Sequence, residues 1–157
     1  ERRWQGIYSL VALAGVILIV YGYGAARQVP MVIYEPPPAM RHIAFLLMVP
    51  VFPLLIAAYA HGRIRDFTRH PMLLATSLWA FAHLLANGTL ADLLLFGAFF
   101  VWAAADRVSM SYRIQRPLPE APATRWNDAI AVVAGLALYA GFLFGLHGKL
   151  IGVPLLS

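Results

Sequence analysis

Cysteine is absent from this chain of 157 residues, and charged residues make up only 12% of it. Without cysteine the chain can form no disulfide, no thiolate nucleophile and no thioether-linked haem. A soluble domain carries about 25% charged residues, so the low charge and the 61% of hydrophobic residues indicate an integral membrane protein. The net charge of +5 is spread over loops between apolar runs, which favours a lipid bilayer over nucleic acid as the partner.

Five apolar runs predict membrane-spanning helices, since a crossing helix needs about 20 apolar residues and at least ~17. We therefore predict an all-α, polytopic transmembrane bundle in which residues 1–157 form one domain. Pro50 and Pro53 lie inside the second run, where they should kink the helix and free backbone carbonyls. The predicted spans are Trp4–Ala26, His42–Ala60, Pro71–Asn87, Leu90–Ala105 and Trp126 to about Leu146.

A tight helical hairpin is expected between the third and fourth spans. Gly88 suits the position after the C-cap of one helix, and Thr89-Leu-Ala-Asp92 reads as a capping box that starts the next. Asp92 is thereby explained as a cap residue. Small residues at four-residue spacing in spans three and five should let helices pack closely in lipid; these are Ala82, Ala86, Ala137, Gly141 and Gly145.

The lysine and arginine residues divide unequally between the two sides of this topology. Side two, which includes the Gly88 tip and the C-terminus, holds three, and the positive-inside rule therefore places it outside the cytoplasm. Because the chain begins with Glu1 and not Met, we also expect one more span upstream, giving six in the native protein. Side one holds nine: Arg2, Arg3, Arg63, Arg65, Arg69, Arg107, Arg113, Arg116 and Arg125; side two holds Arg27, Arg41 and Lys149.

Histidines are the remaining candidates for chemistry, because no carboxylate pair lies inside any span and no glycine-rich phosphate loop occurs. His83 follows His70 by a distance that corresponds to about 20 Å of helix, so it should lie deep in the bilayer. His42 and His147 share the outer half with it. His61 and His70 are expected to be solvated at the cytoplasmic side.

One polar stripe on the third span contains Thr76, Trp79, His83 and Asn87, whose spacing keeps them on one face. Such a stripe must face protein, a cofactor or water. In a structural interpretation, His83 is neutral and forms a hydrogen bond with a backbone carbonyl that a proline has freed. A metal-binding interpretation favours haem over zinc, since zinc needs four ligands, whereas haem needs one or two imidazoles and an apolar pocket. The neighbouring aromatic residues are Phe81, Phe96, Phe99, Phe100 and Trp102.

In the metal-binding interpretation His83 is an axial ligand of non-covalent haem b, with Thr76, Trp79 and Asn87 lining the site. Its second ring nitrogen should donate to an oxygen, either the Asn87 side chain or a freed carbonyl. His42 and His147 are interfacial histidines that could also bind a metal. Contact with water is the alternative for these two interfacial histidines.

Three stretches carry a resemblance to a known family. "RHPMLLATSLWAFAHLLANGTLADLLLFGAFFVWAAADR" at 69–107 resembles the signature region of the NnrU family, and so do "RRWQGIYSLVALAGVILIVYGYGAAR" near the N-terminus and the "HGRIRDFTRHP" loop. "RHP" alone also occurs in isoprenylcysteine methyltransferases, but "RHP" followed by "AHLLANG" at this spacing is much more specific. The resemblance covers nearly the whole chain.

The resemblance implies a multi-pass protein of the bacterial inner membrane that is associated with denitrification and nitric-oxide metabolism. It also implies kinship with ζ-carotene isomerase, which uses haem b. His83 matches an axial ligand position of that enzyme. The isomerase's other ligand lies on a helix before the one that begins at Trp4, so a second ligand here is expected from an upstream span, or from His42, His147 or a neighbour. The isomerase's cysteine one turn before the first ligand is Ala80 here.

Three functions therefore remain open. The first is a haem b protein of NnrU type in redox or nitric-oxide metabolism or sensing. The second is a haem-dependent cis-trans isomerase of a carotenoid or other apolar ligand. The third is a non-catalytic scaffold subunit within a larger membrane complex, with histidines that only bond to carbonyls.

Overall fold

A computed structural model describes residues 2–113 and 121–156, with the side chain of Arg2 excepted. Glu1 lies outside this part, and so does Arg116 of the arginines counted above. Within it, the structure is helical and the β-pairing consists of isolated bridges, so the predicted all-α fold is confirmed. A π-helical turn, Phe142–Leu146, interrupts the last helical stretch. The helices are α1 Arg2–Ala26, α2 Pro38–Met48, α3 Val51–Ala57, α4 Arg63–Thr68, α5 Pro71–Ala86, α6 Leu90–Ser109, α7 Asn127–Gly141 and α8 His147–Ile151.

Three helical stretches in the described residues are long and apolar enough to cross a membrane: Arg3–Ala26, Pro38–Ala57 and Asn127–Ile151. The second of them begins four residues before the predicted start at His42. α5 is a shorter apolar helix of 16 residues, below the ~17 that a crossing helix needs. The predicted count of five spans is therefore not confirmed.

The prolines of the second stretch break it where the sequence predicts a kink. α2 ends at Met48, and Pro50 occupies the N-cap position of α3. Proline lacks the N–H that would continue the ladder, and nearby carbonyls then need other donors. The hydroxyl of Tyr139 on α7 donates to the carbonyl oxygen of Phe45 at 3.0 Å, so a side chain from another helix satisfies one of them.

The helices pack in a defined order. α5 lies between α6 and the broken α2–α3 stretch, and α3 packs in turn against α7. Val51, Leu54 and Ala75 form the buried core of this arrangement. α1 stands apart and contacts α6 near one end, and none of its apolar 18-residue window is buried.

Close helix packing uses different small residues from those predicted. The backbone of Gly135 on α7 is so close to Pro53 that an added Cβ would overlap the proline, and Ala131, one turn earlier, is 1% exposed. Of the predicted stripe in this helix, Ala137 is exposed and a Cβ on Gly145 would meet nothing within 4 Å. The prediction was wrong there because a four-residue repeat does not show which face of an all-apolar helix meets protein. Ala82 is buried as predicted, at 1% exposure.

The α5–α6 hairpin has the predicted capping box. The Thr89 hydroxyl accepts from the Asp92 N–H at 3.2 Å, and the Asp92 carboxylate accepts from the Thr89 N–H at 3.2 Å. α6 continues one turn past the predicted end, to Ser109. Gly88 follows the C-cap Asn87 but is not in the left-handed conformation that this cap requires, which among the described glycines is found at Gly152.

Gly88 is required for a different reason from the predicted helix cap. The segment before α2 crosses the hairpin tip, where the N–H groups of Ile33 and Tyr34 donate to the Gly88 oxygen at 2.8 and 3.2 Å. A Cβ at Gly88 would overlap the Tyr34 backbone oxygen. The Tyr34 hydroxyl also donates to the carbonyl oxygens of Leu84 and Asn87. Burial raises the pKa of Tyr34, and the charge of nearby Asp92 raises it further.

At the opposite end, the start of α7 holds the start of α4. The carboxylate of Asp128 accepts from the backbone N–H groups of Arg63 and Ile64 at 2.9 and 3.1 Å, which satisfies donors that a helix N-terminus leaves free. Asn127, 6% exposed, donates to the carbonyl of His61 at 2.9 Å. This pair links the α3–α4 loop to α7.

Candidate functional site around His83

His83 lies in the last turn of α5, in contact with aromatic rings of the hairpin. Its ring stacks on that of Phe96 from α6, with centroids 4.5 Å apart, and lies 5.1 Å from the ring of Trp79. Trp79 also meets Phe96 and Phe99 edge to face, at 5.1 and 5.5 Å. His83, Trp79, Phe96 and Phe99 form one aromatic cluster, which we call the His83 cluster.

The hydrogen bonding of the His83 ring fixes its tautomer. Nδ1 lies 2.8 Å from the carbonyl oxygen of Trp79. Because a carbonyl oxygen only accepts, Nδ1 carries the hydrogen, and the neutral ring keeps its lone pair on Nε2. The acceptor is therefore in the same helix, four residues back, and is neither of the predicted ones: Asn87 and the carbonyls freed by the prolines.

Two polar residues of the predicted stripe are satisfied within α5. Asn87 donates to the backbone oxygen of His83 at 2.9 Å, and the Thr76 hydroxyl donates to the oxygen of Met72 at 3.0 Å. Both side chains are half-buried. The structure thus brings Trp79 and His83 together in one cluster. The side chains of Thr76 and Asn87 instead donate to backbone oxygens of their own helix.

Of the six aromatic residues predicted near the site, Trp79, Phe96 and Phe99 meet in the His83 cluster. Phe81 pairs separately with Phe100, with centroids 5.9 Å apart. Trp102 is 52% exposed. Phe96 occupies the inward face of α6 together with buried Ala103, so the face of each aromatic on its helix decides which rings reach His83.

Asp92 and Tyr23 extend the site toward α1. Asp92 is 6% exposed, and its Oδ1 accepts from the Tyr23 hydroxyl at 2.5 Å. The edge of the Tyr23 ring meets Phe96 at a centroid distance of 6.4 Å. Sequence reasoning identified Asp92 only as a cap and missed Tyr23, because a contact between residues so far apart in the chain leaves no local pattern.

His147 begins α8, directly after the π-helical turn that follows α7. Nδ1 of His147 lies 2.7 Å from the carbonyl oxygen of Val153, so this ring also carries its hydrogen on Nδ1 and leaves Nε2 free. Val153 reaches that position because the chain turns back at Gly152, which has a φ of 81°.

His42 is placed in a separate groove. It is exposed and lines a depression of about 520 Å³, together with Arg41, Phe45 and Leu155 among others. Arg41 donates to the Leu155 carbonyl oxygen.

The two remaining histidines lie away from the cluster. His61 is exposed and pairs with Asp66 at 3.5 Å. His70 precedes α5, and burial lowers its pKa, as do the nearby charges of Arg107 and Arg69. Across residues 2–113 and 121–156, no three histidine, aspartate or glutamate side chains meet in a group that could hold a metal ion.

These observations define a helical protein of membrane type, with an aromatic histidine cluster near one end of its short hairpin. The NnrU protein family model matches residues 1–155. The chain therefore belongs to the NnrU family. No curated protein and no solved structure matches it.

Proposed function

We propose that this NnrU protein binds haem b through Nε2 of His83 and acts in redox or nitric-oxide metabolism at the bacterial inner membrane. The observation that carries the proposal is the 2.8 Å bond from His83 Nδ1 to the Trp79 carbonyl. This hydrogen bond orients the ring and leaves the lone pair of Nε2 available to a metal ion. Histidine ligands of metals regularly donate their other nitrogen to an oxygen in this way.

The surroundings of His83 fit a porphyrin. Haem proteins hold the macrocycle in an apolar pocket and need one or two axial side chains from the protein. Trp79, Phe96 and Phe99 supply apolar rings. Phe96 contacts the face of the imidazole, while a metal ligand binds at its edge, so the stack does not obstruct Nε2. When bound, haem supplies one-electron chemistry and an iron that binds nitric oxide.

His147 would be the second side chain that holds the iron in this proposal. Its Nδ1 hydrogen bonds to Val153, which fixes the same tautomer as in His83. Both imidazoles would then present Nε2 to the iron. His42 lies in its own groove and has no role in iron binding here.

The proposed membrane placement keeps five spans, with α5 and α6 crossing as a short hairpin beside the three longer stretches. α5 has only 16 residues, so the bilayer must thin around it or flanking residues must extend to the interface. The unequal distribution of arginines places the loop that contains α4 in the cytoplasm. His83 then lies in the outer half of the bilayer.

The absorption spectrum of the full-length protein, purified from membranes in mild detergent, tests the proposal. The expected result is a Soret band, either in the protein as purified or after haem is added. The pyridine haemochrome spectrum should be that of haem b. His83→Ala should abolish the band, while the matched variant His61→Ala should keep it. A wild-type protein with no Soret band after haem addition would contradict the proposal and favour a scaffold function.

A further inference from the structure

A buried carboxylate lies next to the His83 cluster. Asp92 and Phe96 are four residues apart on α6, so they share one face of the helix. The Phe96 ring stacks on His83 at 4.5 Å, and Asp92 itself is 6% exposed. A carboxylate in so dry a place retains its charge only when hydrogen bonds or opposite charges compensate the lost solvation.

Hydrogen bonds hold this carboxylate at both of its oxygens. Oδ1 accepts from the Tyr23 hydroxyl at 2.5 Å, and Oδ2 accepts from the Thr89 hydroxyl and N–H at 2.6 and 3.2 Å. The Thr89 bonds belong to the helix cap. The Tyr23 bond is different, because it comes from α1, a helix that buries none of its apolar window. Capping alone does not require it.

Tyr23 connects the carboxylate to the aromatic cluster. Its ring edge lies against Phe96 with a centroid distance of 6.4 Å, while its hydroxyl reaches Asp92. On its other side the guanidinium of Arg27 lies over the ring, 5.7 Å from the centroid, and donates to the Ile151 oxygen at 3.2 Å. The negative charge of Asp92 therefore lies toward the site, and the positive charge of Arg27 lies toward the outer end of the bundle.

We infer that Asp92, held by Tyr23, is a positioning residue whose charge favours the oxidised form of the haem proposed at His83. This inference rests on the proposed function. Ferric iron carries one positive charge more than ferrous iron, and a nearby negative charge stabilises the ferric form most strongly where the dielectric is low. Local charge and hydrogen bonding are among the means by which proteins set haem potentials.

A redox titration of the haem-loaded full-length protein tests the inference. Asp92→Asn removes the charge and retains an oxygen that can accept from Thr89, so the cap is preserved. We expect the ferric-to-ferrous equilibrium to shift at least tenfold toward ferrous, which is a rise of about 59 mV for a one-electron couple. A matched variant, Asp106→Asn, neutralises a carboxylate 14 residues further along α6 and should leave the potential unchanged.

Tyr23→Phe provides a test that does not touch the cap. It keeps the ring against Phe96 and removes the donor that disperses the carboxylate charge, so the equilibrium should move the other way, toward ferric. If Asp92→Asn and Tyr23→Phe both have the reduction potential of the wild type, the inference is overturned, whereas the proposal that the protein binds haem is unaffected. A wild-type protein without a Soret band would instead overturn the proposed function itself.

Discussion

Gly88 at the tip of the α5–α6 hairpin lies directly against the backbone oxygen of Tyr34, and any Cβ there would overlap that oxygen. The same glycine accepts two backbone hydrogen bonds, from Ile33 and Tyr34. The loop before α2 is therefore fixed on the hairpin that carries His83. This contact connects the second helical stretch to the end of the site nearest the hairpin tip.

Gly88→Ala should destabilise the protein, because the loop must move away and its two hydrogen bonds are lost or lengthened. Overpacking of this kind costs about 1–3 kcal/mol. The matched variant is Gly97→Ala on α6, where an added Cβ meets nothing within 4 Å; it should be neutral or stabilise the helix by up to ~1 kcal/mol. Thermal unfolding in detergent measures both, and equal midpoints for the two variants would refute the contact.

Gly135→Ala tests which face of α7 meets the bundle. The added methyl would overlap Pro53 and force α3 away from α7, at a cost of about 1–3 kcal/mol. Gly145→Ala belongs to the stripe that the sequence favours, but its Cβ would meet nothing within 4 Å. The same unfolding assay should show a loss for Gly135→Ala alone, whereas a larger loss for Gly145→Ala would restore the stripe predicted from sequence.

His70 predicts a dependence of stability on pH. Burial and the charges of Arg107 and Arg69 lower its pKa in the folded protein, so the unfolded chain binds the proton more readily. The stability from neutral His70 is therefore present above the unfolded pKa of about 6.5 and is lost as pH falls below it. His70→Gln should show a smaller fall of the unfolding midpoint between pH 8 and pH 5. Parallel pH profiles for the two proteins would rule this out.

The local features of the hairpin could be predicted from sequence. Thr89 and Asp92 form the capping box because its spacing is set within one helical turn. The break at Pro50 is likewise local. The contacts of Tyr23 with Asp92 and of Tyr34 with Gly88 were not predictable, since each joins residues far apart in a chain whose apolar helices carry little facial pattern.

The candidate site likewise has contacts that the sequence predicts and contacts that it does not. Trp79 and His83 lie one turn apart, so periodicity places them together, and the structure confirms their contact. The acceptor of the His83 ring was assigned to side chains or to freed carbonyls, whereas the nearest carbonyl of its own helix accepts the bond. Periodicity shows which residues share a face but does not show which of several oxygens lies closest to a ring nitrogen.

The proposed pair of iron-binding histidines provides a prediction for His147. If His83 and His147 both hold the iron, His147→Ala should change the ferric haem from low spin to high spin while haem stays bound through His83. His42→Ala should leave the spectrum unchanged, since His42 lies in the groove with Arg41 and Leu155. Electron paramagnetic resonance distinguishes the two spin states. High-spin haem in His42→Ala together with low-spin haem in His147→Ala would exchange the roles of the two residues.

The central claim is that the free Nε2 of His83 binds the haem iron, and imidazole rescue of a His83→Gly variant measures this most directly. The substitution removes the ligand and leaves space for a free imidazole. The account predicts that His83→Gly, purified in detergent with haem added, shows no wild-type Soret band, and that imidazole in the buffer restores it. A His83→Gly protein that binds haem with the wild-type spectrum in the absence of imidazole would contradict the claim.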